Sequence, residues 1–489
     1  MPAIITNKFR IHNSEQFHES FTEAAGNTYY LGIGRPQPFA TSTRPDGRTE
    51  NLGTDTAPIT PVDAIAEEAY VYDELLAAKK IAASDISFVV PRRNWTTGTV
   101  YDVYRHDYGR RQTGGTTLIT SNSGATTLFD ATYYVKTSTN RVYKCLDNNG
   151  NAASTEEPST TSDVIQTTSD GYKWKLMYTL TASQQSNFLS TDFMAVATDS
   201  TISTAAVDGQ IEIVLIKTAG TGGSAGTHTN IPIRGDGSNG KVSVTITAGT
   251  ITDVSVTTAG TDYTFGYITV ADINAAGGGT LVNAELDVII GPKGGHGFNA
   301  VEELGGFFVM LNQSLDGTEL ANSGDYTAEN DFRKIVLFRD PTSAGSAATA
   351  TTLRATQAVH FAASPTPGTF VADETITQTG TGAVGKVVEW DSSNRILYYI
   401  QTRFSDEGAD ANGDITAFSG AGVITGSTST ATGTPSTSTT GTINQVSITS
   451  GYSASELDHD SGDVMYVENR APIVRAADQT ENIKLIIEF

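Results

Sequence analysis

One cysteine, Cys145, stands in a chain of 489 residues. That scarcity excludes an intrachain disulfide and any cysteine-based zinc cluster, and it suits folding in a reducing cytoplasm. Cys145 sits in the apolar stretch Val-Tyr-Lys-Cys-Leu-Asp and reads as a small buried hydrophobe rather than a nucleophile. Histidine is also scarce. The seven histidines, at 12, 18, 106, 228, 296, 360 and 459, show no His-x-x-x-His or His-Glu-x-x-His spacing, so a zincin-type site has no support. Positive charge is short: 31 Lys and Arg face 54 Asp and Glu, a formal net charge of −23. Such a surface repels phosphates and anionic lipid, which argues against nucleic acid and membrane as partners. No apolar run is long enough to span a bilayer, and the first residues lack the basic-then-apolar order of a secretory signal.

Glycine is abundant, at 48 residues, and so are serine and threonine. That composition favours many short strands and turns over long helices. The expected fold class is mainly β with a minor α component: an α+β core in a multidomain chain, with antiparallel sheets and small β-sandwich or β-barrel inserts. Texture along the chain divides it as follows. Residues 1–205 form a mixed α/β and β core region, and 206–290 an inserted all-β module. Residues 291–364 continue the core, 365–447 form a Gly/Thr/Ser-rich β insert, and 448–489 return to the core and end in a strand.

Local patterns give particular elements. Ser14 is placed to cap a short helix carrying Phe17 and Phe21, stopped near Gly26. Tyr29 to Ile33 reads as a strand. Thr60-Pro61 predicts the start of a second helix with Ile65, Tyr72 and Leu76 on its apolar face. Lys241 to Ile246 and Ile251 to Thr257 predict a hairpin with a loop of about three residues. Tyr263, Phe265 and Tyr267 alternate as in a strand, and Phe332 to Phe338 is a strand. Ser429 to Thr440 is low in complexity and reads as a mobile loop. At the C-terminus Ile483, Leu485, Ile487 and Phe489 share one face, so the chain end is expected to be tied into a core.

Several motifs, in collinear order, carry a resemblance. They are Asn7-Lys8-Phe9-Arg10, Gly34-Arg35 with Pro38-Phe39, Val90-Pro91-Arg92-Arg93-Asn94-Trp95, Val142 to Asp147, and Asp170-Gly171-Tyr172-Lys173-Trp174. The series ends with Tyr466-x-Glu468-Asn469-Arg470-x-Pro472-Ile473 and Asp478 to Glu481. Together they resemble the dimeric baseplate wedge protein of T-even-like contractile-tail phages. Asn94 stands where that family has an acid. The resemblance covers the core and leaves out both β-rich stretches. It implies a structural subunit in the virion, made in the host cytoplasm, that forms a homodimer and binds other wedge subunits. It also implies that the subunit transmits a change of shape on host attachment.

Little in the chain suggests catalysis. Gly380 to Lys386 has P-loop spacing, but Val387 replaces the Mg²⁺-binding hydroxyl. Gly222-Gly223-Ser224-Ala225-Gly226 fits a nucleophile elbow without the following helix. Both fit turns between strands. Asp410, Asn412 and Asp414 have the spacing of the first EF-hand ligands, but Ile415 and Ala421 break the rest, so weak Ca²⁺ binding is a hypothesis only. No catalytic, metal or cofactor residues are assigned. The interface candidates are Arg92, Arg93 and Trp95, from a concentration of arginine and aromatics (Arg105, Arg110, Arg111, Tyr101, Tyr104 and Tyr108 complete it), and Glu468, Asn469, Arg470, Asp478 and Gln479. The alternative function is binding, or depolymerising, host-surface glycan through the β-rich inserts, although no long β-helix repeat or paired acids are evident.

Overall fold

A computed structural model describes residues 4–23, 26–111, 116–318, 326–327, 330–474 and 480–489. Strands dominate, helices are short, and the sheets are mostly antiparallel, as the composition implies. The chain divides into two compact units. One contains residues 1–18, 87–310 and 486–489; the other contains 19–86 and 311–485.

The first unit is built on a four-stranded antiparallel sheet in the order Gln166–Thr167, Lys173–Thr179, Arg141–Asp147, Tyr134–Lys136. Five consecutive residues are buried in each of the two central strands, so both sheet faces are covered. Val-Tyr-Lys-Cys-Leu and Trp-Lys-Leu-Met-Tyr therefore show no polar alternation. Lysines in such strands must be paired. Lys144 meets Glu303, both within 1% of complete burial, and Lys175 meets Glu212 at 3.1 Å. Cys145 is fully buried, and burial pushes its thiol well above the usual range.

The same unit contains a long antiparallel pair, Ile213–Gly223 with Gly279–Ile289. A three-stranded sheet, Gly226–Pro232, Lys241–Thr247 and Thr250–Thr258, shares an aliphatic core with it that includes Ile211, Val214, Val242, Val244 and Ile246. The hairpin turn is tighter than the sequence suggested. Its two residues, Ala248 and Gly249, both have positive φ, at 50° and 86°. The C-terminus is pinned in this unit. Phe489 N–H donates to the Phe307 carbonyl at 3.1 Å, and its ring lies 5.3 Å from that of Phe17.

The second unit holds a five-stranded antiparallel sheet in the order Thr352–Arg354, Leu75–Lys80, Tyr29–Gly34, Phe332–Arg339, Asp463–Ile473. Gly32 is required at the centre of this sheet, because a Cβ there would lie 2.8 Å from the Phe338 ring. A seven-stranded sheet, ordered Thr432–Gly433, Ile424–Gly426, Thr375–Gln378, Val384–Asp391, Ile396–Ile400, Gln357–His360, Tyr452–Ser453, surrounds a separate core that includes Val359, Phe361, Phe370, Val387 and Leu397.

Several local expectations need correction. Ser14 lies inside the helix Asn7–Glu19 rather than at its cap. It is buried, and its hydroxyl is shared between the carbonyls of Ile11 and Gly306 at 2.6 and 2.8 Å. The second helix is Ile65–Val71, preceded by Ala64 with no side-chain cap, and a 3₁₀ turn at Tyr72–Glu74 ends it. Leu76 belongs to the following strand, because the central position in the sheet outweighs the helical propensity of Leu-Leu-Ala-Ala-Lys-Lys. Tyr263 is buried, with its hydroxyl on the Ile233 carbonyl at 2.9 Å, while Phe265 and Tyr267 are exposed and only Gly266–Tyr267 is strand. Ser429 to Thr440 is pinned, since Thr432 exchanges two backbone bonds with Thr366 and Ala431 is fully buried.

Candidate assembly interface

The C-terminal motif lies on the strand Asp463–Ile473, at the edge of the five-stranded sheet in the second unit. One side of the strand pairs with Phe332–Arg339: Leu337 opposes Tyr466, Ile335 opposes Glu468, and Lys334 opposes Asn469. Among the described residues no strand pairs with the other side. Register shifts interrupt the pairing twice. One falls at Met465. The second falls where Arg470, Ala471 and Pro472 pass between the partners Lys334–Asn469 and Phe332–Ile473. Extra residues bend an edge strand and re-aim its side chains. Proline lacks an N–H and is tolerated at an edge or bulge. The motif is therefore the irregular part of an edge strand.

Its side chains are incompletely satisfied. Asn469 Nδ2 donates to the Ile59 carbonyl at 3.1 Å, but its Oδ1 is buried and unpartnered. Arg470 Nε is also buried without a hydrogen bond. Among the described residues Arg470 makes no ion pair, although it lines a cavity of about 320 Å³ with Glu468, Glu481 and Lys484. Tyr466 donates to Glu468 at 3.1 Å; burial first, and then Glu468, push its hydroxyl up to about 12. Met465, Tyr466, Val474 and Ile59 are exposed apolar residues on or beside the strand. The unpartnered Asn469 Oδ1 and Arg470 Nε are enclosed by the chain itself; what a partner can reach is the unpaired outer side of the edge and the exposed apolar residues beside it.

A buried charge cluster joins Lys334, on the strand beside this edge, to Arg35 and Glu74, which flank the strands Tyr29–Gly34 and Leu75–Lys80. Glu74 is 4% exposed. It receives the Arg35 guanidinium on one oxygen and has Lys334 Nζ 2.9 Å from the other. Burial alone would raise its carboxyl; Arg35 and Lys334 overcome this and hold it below the usual range. Arg35 has a left-handed backbone, at φ 54°, and its guanidinium lies 4.4 Å over the Phe39 ring, which explains the Gly-Arg-x-x-Pro-aromatic pattern as a clamp. Arg333 grips Asp55 through two bonds of 2.9 and 3.0 Å. None of this cluster was among the sequence candidates. The available signal was Arg333-Lys334 interrupting an apolar strand, which forces a search for buried acids.

The other sequence candidates lie in the first unit. Arg93 is committed internally: its guanidinium donates to the carbonyls of Ala131 and Phe129 and lies 4.6 Å over the Tyr134 ring. Arg92 bonds the Ser190 carbonyl at 2.7 Å and the Asn94 side chain at 3.1 Å, so the amide at 94 serves as an acceptor. Trp95 donates to Ser154 at 3.1 Å. Arg105 is paired with Asp107 and Asp287, whereas Arg110 and Arg111 are exposed. Asp478 and Gln479 lie outside the described residues.

The near-matches to catalytic motifs are strand turns. Lys386 lies on the strand Val384–Asp391 and donates to Thr375 at 2.9 Å; Ser224 lies between the strands Ile213–Gly223 and Gly226–Pro232, with its N–H on the Gly278 carbonyl. Asp410 accepts the N–H groups of Asn412 and Asp414 at 2.8 and 3.0 Å, closing a turn on itself. Among the described residues no group of three or more His, Cys, Asp or Glu is arranged to hold a metal, and no helix is long and apolar enough to cross a membrane.

Residues 3–214 and 432–489 match the family model described as Phage-Gp8, Bacteriophage T4 Gp8. These stretches make up more than half of the chain. No curated protein matches it.

Proposed function

Because the chain belongs to the Phage-Gp8 family, whose members are structural components of the phage baseplate and hence of the virion, we propose that it works as a baseplate wedge subunit. In this reading it forms a homodimer and joins other wedge proteins. It then passes the change of shape at host attachment across its interfaces while its β-rich cores stay rigid. The reading assigns no catalysis to the chain.

One observation carries the proposal: the motif strand is a bulged sheet edge, unpaired on its outer side among the described residues and flanked by the exposed Met465, Tyr466, Val474 and Ile59. An interface anchor of this kind suits Arg, which makes planar bidentate bonds to carboxylates. Glu468, Asn469 and Arg470 are the proposed contacts, with Arg92, Arg93, Trp95, Asp478 and Gln479 as further candidates. Light scattering of the full chain, alone and mixed with wedge subunits from the same genome, tests the reading. A dimer that enters a larger complex, and an Arg470→Ala variant that stays folded but does not enter it, are expected. A chain that ignores those subunits, or a variant that assembles like wild type, overturns it.

A further inference from the structure

The first unit contains a cleft of about 560 Å³. Its volume lies in the range of sites that enclose a small ligand. One wall is formed by residues within the family match, including Arg105, Asp147, Asn149 and Lys173. Leu215, Ile216, Lys217, Asp253 and Asp287 also line the cleft, all within the stretch that the family model does not match. The cleft is therefore completed by residues outside the family match.

The cleft has no excess of positive charge. Arg105, Lys173 and Lys217 stand against Asp147, Asp253 and Asp287. Each of the cations is already held: Arg105 by Asp107 and by Asp287 at 3.0 Å, Lys173 by Asp147 at 3.2 Å, and Lys217 by Glu285 at 2.6 Å. No cation is left over to capture a phosphate or a carboxylate. The lining instead offers fixed acceptors and donors of both kinds, including the amides of Asn149 and Asn151. Beside these groups the lining includes the apolar side chains of Leu215 and the exposed Ile216, with Tyr108. A ligand that suits this surface has no net charge, many hydroxyls and one apolar face. Sugars have that chemistry: ring C–H groups pack on apolar side chains, and hydroxyls bond to carboxylates and amides.

We propose that this cleft binds a neutral oligosaccharide of two to four residues. The site is separate from the assembly edge and does not depend on the assembly reading. Two variants probe it without removing a structural bond. Asp253→Ala deletes an exposed acceptor on the strand Thr250–Thr258, and Ile216→Trp fills the cleft from the strand Ile213–Gly223. The full chain and both variants are applied to an array of neutral and charged oligosaccharides, with circular dichroism to confirm folding. Binding of a neutral glycan by the wild type, weakened at least tenfold in both variants, is expected. Binding to no neutral glycan, binding to charged glycans alone, or unchanged binding by the two folded variants overturns the proposal.

Discussion

Replacing Glu74 with alanine removes the carboxylate that two buried cations share. Arg35, Glu74 and Lys334 are only 4%, 4% and 6% exposed, so water cannot replace the lost partner. Breaking a buried ion pair by removing one member costs about 3–5 kcal/mol. Two cations are stranded here, which places the change at the upper end, near 5 kcal/mol. At about 2–4 °C per kcal/mol for a unit of 150–250 residues, the melting transition of the second unit falls by roughly 10–20 °C. Differential scanning calorimetry reads that shift directly. The penalty also has a pH signature. Glu74 is held below its ordinary carboxyl value, so its contribution is present above about pH 4.5 and is lost as pH falls through the folded value. The gap between wild type and Glu74→Ala must therefore narrow in acid. A variant that melts within about 2 °C of wild type at neutral pH would refute the argument, because that shift corresponds to no more than about 1 kcal/mol.

Three other changes give separate tests. Arg470→Ala is expected to weaken binding to an isolated wedge subunit by about 2 kcal/mol, roughly 30-fold, in a titration at fixed salt; an unchanged dissociation constant counts against the edge strand. His459 contacts Asp73 at 2.6 Å and Asp460 at 2.9 Å; burial lowers its pKa, but these carboxylates raise it overall. Its stabilisation is therefore full below the unfolded value and lost as pH rises through the folded one, so the urea-midpoint gap between wild type and His459→Gln should be widest below about pH 6 and close at higher pH. A gap that is flat with pH contradicts this. Ala248→Asn should stabilise the first unit by up to about 1 kcal/mol, since Ala248 occupies a left-handed position that asparagine tolerates better; a lower urea midpoint would show the turn to be misread.

What could be read from the sequence depended on how local the cause was. Phe332–Arg339 and Tyr29–Gly34 were legible because their apolar runs are bounded by polar or turn residues. The Lys241–Thr258 hairpin was legible from alternation, although the turn took two residues because Ala248 accepted a positive φ. Leu75–Lys80 was not legible, because helix-forming residues were recruited to strand by neighbours on both sides, Tyr29–Gly34 and Thr352–Arg354. The candidate site shows the same division. Glu468-Asn469-Arg470 stood out as a motif. That the strand is a sheet edge depends on the strand order, which no local pattern encodes. The partnership of Arg35 with Glu74 and Lys334 joins three distant segments and was equally hidden.

The interleaving of the two units bears on biosynthesis. The second unit is made from 19–86 and 311–485, and the ribosome delivers most of the first unit in between. Arg35 and Glu74 leave the ribosome together, but the Lys334 that completes their cluster follows 260 residues after Glu74. At about 5–20 residues per second that interval is roughly 10–50 s. Through that time the nascent strands Tyr29–Gly34 and Leu75–Lys80 lack the Phe332–Arg339 and Thr352–Arg354 strands that flank them in the finished sheet. A message truncated before codon 334 yields a polypeptide that lacks the strands flanking Tyr29–Gly34 and Leu75–Lys80 in the finished sheet.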